Sequence, residues 1–129
     1  MAFGDLFRPA SKPEPTPGEI GLVDAMMAVS KGGVFIDVRA QRDYERGHIP
    51  GAKLVDLSQL QESPIDAIWA NDPLAQTDKK IVVVSATTKH AAAIAHLLRD
   101  KGFDADYLAG GLIAWARDGQ PLVSGPPRS

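Results

Sequence analysis

The sequence predicts an α/β domain, a mostly parallel sheet with helices on both faces. Three observations lead there. Short apolar runs at 34–38, 52–57, 81–84 and 104–108 have the length and composition of strands. Helix-compatible segments alternate with them, the pattern of parallel crossover units. The run IVVV at 81–84 is apolar at every position, without the alternation of a strand that faces water on one side.

Taken in order, residues 1–15 read as an N-terminal arm and proline-rich linker, with four prolines between 8 and 17. Phe3, Leu6 and Phe7 stand in its first part; they are expected to dock on the domain, with a partner-binding or self-association segment as the alternative. The domain is placed at 16–123. Thr16, Pro17 and Glu19 have the spacing of a capping box with proline at the first helical position, so a helix is predicted to open there. Ile20, Val23 and Met27, with Leu22 and Met26 beside them, form its expected apolar stripe, and Lys31, Gly32 and Gly33 end it. The strand 34–38 follows, then a polar helix-compatible stretch at 40–46, a turn at 47–51 and a second short strand at 52–57. A helix is expected between 58 and 70. After the strand 81–84, a helix over 89–101 buries Ala91, Ile94, Ala95, Leu97 and Leu98, and Gly102 stops it. A strand at 104–108, a short helix at 112–117 and a loose tail at 124–129 complete the chain.

Composition bounds the function. A chain of 129 residues suits one domain. A net charge of −2 gives no electrostatic footprint for nucleic acid. No apolar run approaches the roughly 20 residues needed to span a bilayer, and the N-terminus lacks the pattern of a Sec signal peptide, so the expected location is cytoplasmic. Cysteine is absent, which removes disulfides, thiolate metal sites and thiol nucleophiles. His48, His90 and His96 show no metal-ligand spacing, and neither a metal nor a cofactor is expected.

The segment 81–102 carries the most chemistry. A strand stops at Ser85, a short polar loop follows, and the loop opens a helix. Such a junction aims backbone N–H groups and the positive end of a helix at one point. In an open α/β sheet it also lies where ligands bind, beyond the carboxyl ends of the strands.

Three segments resemble the rhodanese-like family. FIDVR at 35–39 with YERGHIPGA at 44–52 looks like its DVR…EY…GHIPGA signature. The IVVV strand with its loop and helix is the second, and GGLIAW at 110–115 with Gly119 and Pro121 looks like its C-terminal signature. The resemblance covers about residues 16–123. It implies a rhodanese-like fold, with a central sheet of about five short strands flanked by helices on both faces. Active members are similar sulfurtransferases in which a loop cysteine takes sulfane sulfur from a donor such as thiosulfate, holds it as a persulfide and passes it on. Their loop reads like CRSGNRS. In register with it stand Ser85, Ala86, Thr87, Thr88, Lys89, His90 and Ala91, so the cysteine position is Ser85.

Serine cannot replace that cysteine, because sulfur transfer needs a thiolate that attacks sulfur and then carries an S–S bond. The chain is therefore expected to be catalytically inactive and to serve as a binding or regulatory module for a protein partner. The alternative is a thiosulfate or persulfide sulfurtransferase in which serine has been substituted for cysteine. Such an edit would leave the loop intact, yet Thr88 stands where the family has glycine, and Ala86 and His90 stand where it has arginine. A Ser85-dependent hydrolase is the third reading; it needs an oriented base, for which His90, five residues along the loop, is the candidate within reach. With no carboxylate evident to orient it, His90 is expected to be a solvent-exposed residue at a helix start. Residues 86–90 are expected to retain a cradle for a small oxyanion such as sulfate or phosphate. Asp37, Arg39, Glu45 and His48 are expected mainly to hold the turn at 48–51 through ion pairs and hydrogen bonds. Trp115 is expected in the core, while Trp69, if exposed, would mark a partner surface.

Overall fold

The computed structural model describes residues 18–70 and 77–127. Five parallel strands form one sheet: β1 (Glu19–Ile20), β2 (Val34–Asp37), β3 (Lys53–Leu54), β4 (Ile81–Val84) and β5 (Ala105–Leu108), in the order β1-β5-β4-β2-β3. Among the described residues five helices connect them, α1 (Leu22–Ser30), α2 (Gln41–Arg46), α3 (Leu57–Glu62), α4 (Pro64–Trp69) and α5 (Thr88–Asp100), and a sixth, α6 (Gly111–Arg117), follows β5.

Side chains of a strand alternate between faces, and β4 shows why its run is wholly apolar. Ile81 and Val83 enter a core with Ile36, Leu60, Ile94 and Leu98 under α3, α4 and α5. Val82 and Val84 enter the opposite core with Ala25, Phe35, Leu108 and Trp115 under α1 and α6. Both faces are covered, so no position of the strand meets water.

Four local expectations are corrected. First, the helix does not open at the proposed capping box. Glu19 and Ile20 form β1, because the Tyr107 and Ala109 amides donate to the Gly18 and Ile20 carbonyls, and α1 begins at Leu22 with Gly21 as its cap. Thr16 and Pro17 lie outside the described residues. Second, Leu22, Ala25, Ala28 and Val29 face the sheet, whereas Val23, Met26 and Met27 point outward. A helix apolar at nearly every position does not encode which side is buried, and tertiary contact decides. Third, the strand expected over 52–57 stops after Leu54, because Asp56 caps α3 by accepting from the Ser58 amide at 3.0 Å. Fourth, the helix between 58 and 70 is two helices. Pro64 disfavours helical geometry at Ser63, which sits at φ −145°, and the chain turns there.

At the amino ends of the strands an ion-pair cluster closes the sheet. Lys80 contacts Asp104 at 3.1 Å and the largely buried Asp106 at 2.5 Å, and Arg99 of α5 reaches Asp106 at 3.2 Å. Burial pulls the Lys80 ammonium down, but the hydrogen bonds and charges of Asp106 and Asp104 outweigh it and raise the group above its ordinary value of 10.5. Among the described residues no helix is long and apolar enough to cross a membrane.

Candidate functional site

The site lies at the carboxyl ends of β2 and β4. From β2 the chain goes outward to β3, and from β4 it goes the other way to β5, so these neighbouring strands bound a topological switch point. Ser85 follows β4 directly and is only 2% exposed. Its Oγ lies 2.9 Å from Nδ1 of His90, and its carbonyl accepts from the Leu112 amide at 3.2 Å. α6 thus holds the loop from below, and Gly111 makes the close approach possible, since a Cβ there would stand 2.7 Å from the Ser85 carbonyl oxygen.

Beyond Ser85 the loop is short. Ala86, Thr87 and Lys89 are exposed and Thr88 is half-buried. Thr87 caps α5: its Oγ1 accepts from the His90 amide at 3.2 Å, and its carbonyl accepts from Ala91. The amides of Thr88 and Lys89 are left in the first turn without intrahelical acceptors. His90 is exposed and at a helix start, as expected, and its ring also makes the contact that the alternative reading allowed. One turn of α5 carries it back over the loop onto Ser85. No described carboxylate holds the other ring nitrogen, so the pair lacks the third member that orients a catalytic histidine.

The signature residues after β2 form a separate network. Asp37, 1% exposed, accepts from the Arg39 backbone amide at 3.0 Å and from its guanidinium at 2.8–3.2 Å. Arg39 Nη2 also donates to the Gly47 carbonyl at 2.7 Å, which ties the end of β2 to the turn. His48 is buried, with Nδ1 2.8 Å from the Tyr44 carbonyl and its ring stacked on Tyr44 at 3.7 Å. Tyr44 Oη donates to the Ala52 carbonyl at 2.6 Å and closes the turn from the other side. Glu45 stands apart from this network; its carboxylate accepts from Gln41 on the surface of α2. Trp115 packs edge-on against Phe35 at 5.6 Å and donates to the Pro121 carbonyl. Trp69 is buried against Phe103, so it marks no partner surface. His96 is exposed on α5 with its ring edge-on to Tyr107.

Gly111, Leu112 and Tyr44 were not singled out as supports from sequence. Gly111 had a visible signal, a second glycine where one suffices to end a strand. Among the described residues no group of three or more histidines or acids is placed to hold a metal ion.

The family model described as Rhodanese-like domain matches residues 22–118. Over 114 residues, 86% of this chain, the sequence is 32% identical to a tRNA sulfurtransferase of Desulfurococcus amylolyticus, of which the match covers 20%. Over 93 residues, 72% of this chain, it is 27% identical to an HTH-type transcriptional regulator of Mycobacterium tuberculosis, of which the match covers 38%. The chain thus spans well under half the length of either relative. The fold superposes on a rhodanese-related protein from Thermoplasma volcanium with a TM-score of 0.67 at 24% identity, covering 83% of this chain and 98% of that one.

Proposed function

The chain belongs to the rhodanese-like domain family, and we propose that Ser85 stands at the position of the family's persulfide cysteine and that the protein is a binding or regulatory module that does not transfer sulfur. One observation carries this. Ser85 occupies the buried mouth of the loop, and the sequence holds no cysteine to substitute for it. A hydroxyl gives neither the thiolate that attacks a donor sulfur nor an atom that keeps an S–S bond. Serine chemistry is not favoured either: His90 reaches Ser85 without an orienting carboxylate, and the hydroxyl is almost wholly covered. What the loop retains is suited to binding. The Thr88 and Lys89 amides at the start of α5, with the Thr87 and Thr88 hydroxyls and the Lys89 ammonium carried by the same turn, are the donors that would take a small oxyanion such as sulfate or phosphate. A wider role in recognition is supported by the HTH-type relative, in which a matching segment forms part of a transcriptional regulator.

The test is a thiosulfate:cyanide assay. The chain as it stands is expected to form no thiocyanate above the uncatalysed rate, and robust transfer would overturn the proposal. The same assay on Ser85→Cys separates a second reading, favoured by the identity with a tRNA sulfurtransferase. If the single change produces turnover, the loop is a competent sulfurtransferase site lacking only its cysteine. If it does not, Thr88, Ala86 and His90 have also removed the surroundings a persulfide needs.

A further inference from the structure

α1 is apolar nearly all round. Its sequence, LVDAMMAVS, has polar side chains only at Asp24 and Ser30. One side is spent on the sheet; the other presents Val23, Met26 and Met27 at 67%, 42% and 49% exposure. Their spacing, i, i+3 and i+4, makes them one contiguous ridge. A helix hydrophobic all round is ordinarily buried, so this ridge is a surface in want of a cover.

The topology brings one particular segment to it. β1 and β2 lie parallel in the same sheet and α1 connects them, so α1 runs back antiparallel to the strands. Its carboxyl end, with Met26 and Met27, therefore returns to the end of the sheet where Gly18 leads into β1. The chain enters β1 from that end, through Gly18. The sequence of residues 1–17 carries Phe3, Leu6 and Phe7, also at i, i+3 and i+4. The proline-rich stretch 8–17 spans about 30 Å when extended at roughly 3.1 Å per residue. That is twice the length of α1, about 14 Å at 1.5 Å per residue, so every position of the ridge is within reach. A tether of this length holds the segment at an effective concentration of order millimolar, well above that of a second copy at ordinary protein concentrations.

We propose that Phe3, Leu6 and Phe7 cover the Val23–Met26–Met27 ridge of their own chain, as an intramolecular cap that any partner using this helix must displace. The cap is independent of the chemistry at Ser85.

Methionine oxidation reads the cap directly, because sulfoxide formation follows exposure. The full chain and a full-length F3A/L6A/F7A variant are treated with dilute hydrogen peroxide, and sulfoxide at Met26 and Met27 is followed by mass spectrometry. A single cooperative urea transition of unchanged slope establishes that both chains are folded, the variant's midpoint being lowered by no more than the lost docking free energy. The variant is expected to oxidise about tenfold faster at both positions, equivalent to about 1.4 kcal/mol of docking free energy, and the rates are expected to be independent of protein concentration. Equal rates in the two chains would overturn the proposal. So would protection that fades on dilution, which would assign the cover to a second copy.

Discussion

Gly111→Ala tests whether α6 props the Ser85 loop. At this residue φ is +63°, and a Cβ would stand 2.7 Å from the Ser85 carbonyl oxygen and 3.3 Å from that of Ala86. Two costs add. An L-residue in the left-handed region loses about 1–2 kcal/mol. The clash is with backbone, so the loop must shift, and the shift breaks the hydrogen bond from the Leu112 amide to Ser85, worth about 1 kcal/mol. Reduced entropy of the unfolded chain returns roughly 0.4–1 kcal/mol, which makes a matched control the sounder quantity. Gly119 supplies it, with φ +78° and nothing near its virtual Cβ. Gly119→Ala carries the conformational cost alone. Urea unfolding followed by the fluorescence of the two buried tryptophans, Trp69 and Trp115, should therefore place Gly111→Ala about 1 kcal/mol below Gly119→Ala at unchanged slope. Faster hydrogen exchange at the Leu112 amide should accompany it. Equal destabilisation by the two substitutions, with Leu112 still protected, would refute the support assigned to α6.

Asp37→Ala leaves the largely covered Arg39 guanidinium without its carboxylate and should cost about 3 kcal/mol in urea unfolding, the low end for a broken buried pair because the Gly47 carbonyl still accepts from it. Removing Arg39 as well should recover part of the loss, whereas simple additivity would count against a coupled pair. Lys80 gives a pH dependence. Folding raises its pKa above 10.5 through Asp106 and Asp104 against the opposing pull of burial. Its contribution is therefore complete below pH 10.5 and is lost as the pH climbs through the raised value. Lys80→Met should flatten the alkaline fall of the urea midpoint above pH 10.5; an unchanged fall would show that other groups govern it.

How far the residues announced the structure depended on what each constraint was. β4 was legible because burial on both faces leaves no choice but an unbroken apolar run. The helix 88–100 was legible because its buried positions recur at helical spacing and Gly102 ends it. β1 was not legible. Two residues carry no periodicity, and their strand state comes from β5, far away in sequence. The outward ridge of α1 was misassigned for a related reason: with apolar side chains on every side, the pattern names a helix without naming its inner face. In the site, Ser85 was found by position and Asp37 with Arg39 by their place at a strand end. The His90 contact was harder. It depends on a cap at Thr87 that starts α5 early enough for its first turn to swing the imidazole back over Ser85. A capping threonine three residues before a histidine was the available clue.

The strand order has a consequence for how the chain acquires its shape. β1, made first, pairs only with β5, the last strand, and β5 fits between β1 and β4. The closing segment is laced back as well: Val123 exchanges backbone hydrogen bonds with His48, and Gly125 donates to the Glu45 carbonyl. No amino-terminal portion can therefore assemble a finished sheet. During synthesis β1 must wait, and β4 keeps an open edge until nearly the whole domain has emerged. Such long-range pairing slows folding and exposes strand edges meanwhile. It also makes the module all-or-none: a cut before β5 removes α6, the support of the Ser85 loop, and leaves both β1 and β4 without their partner strand.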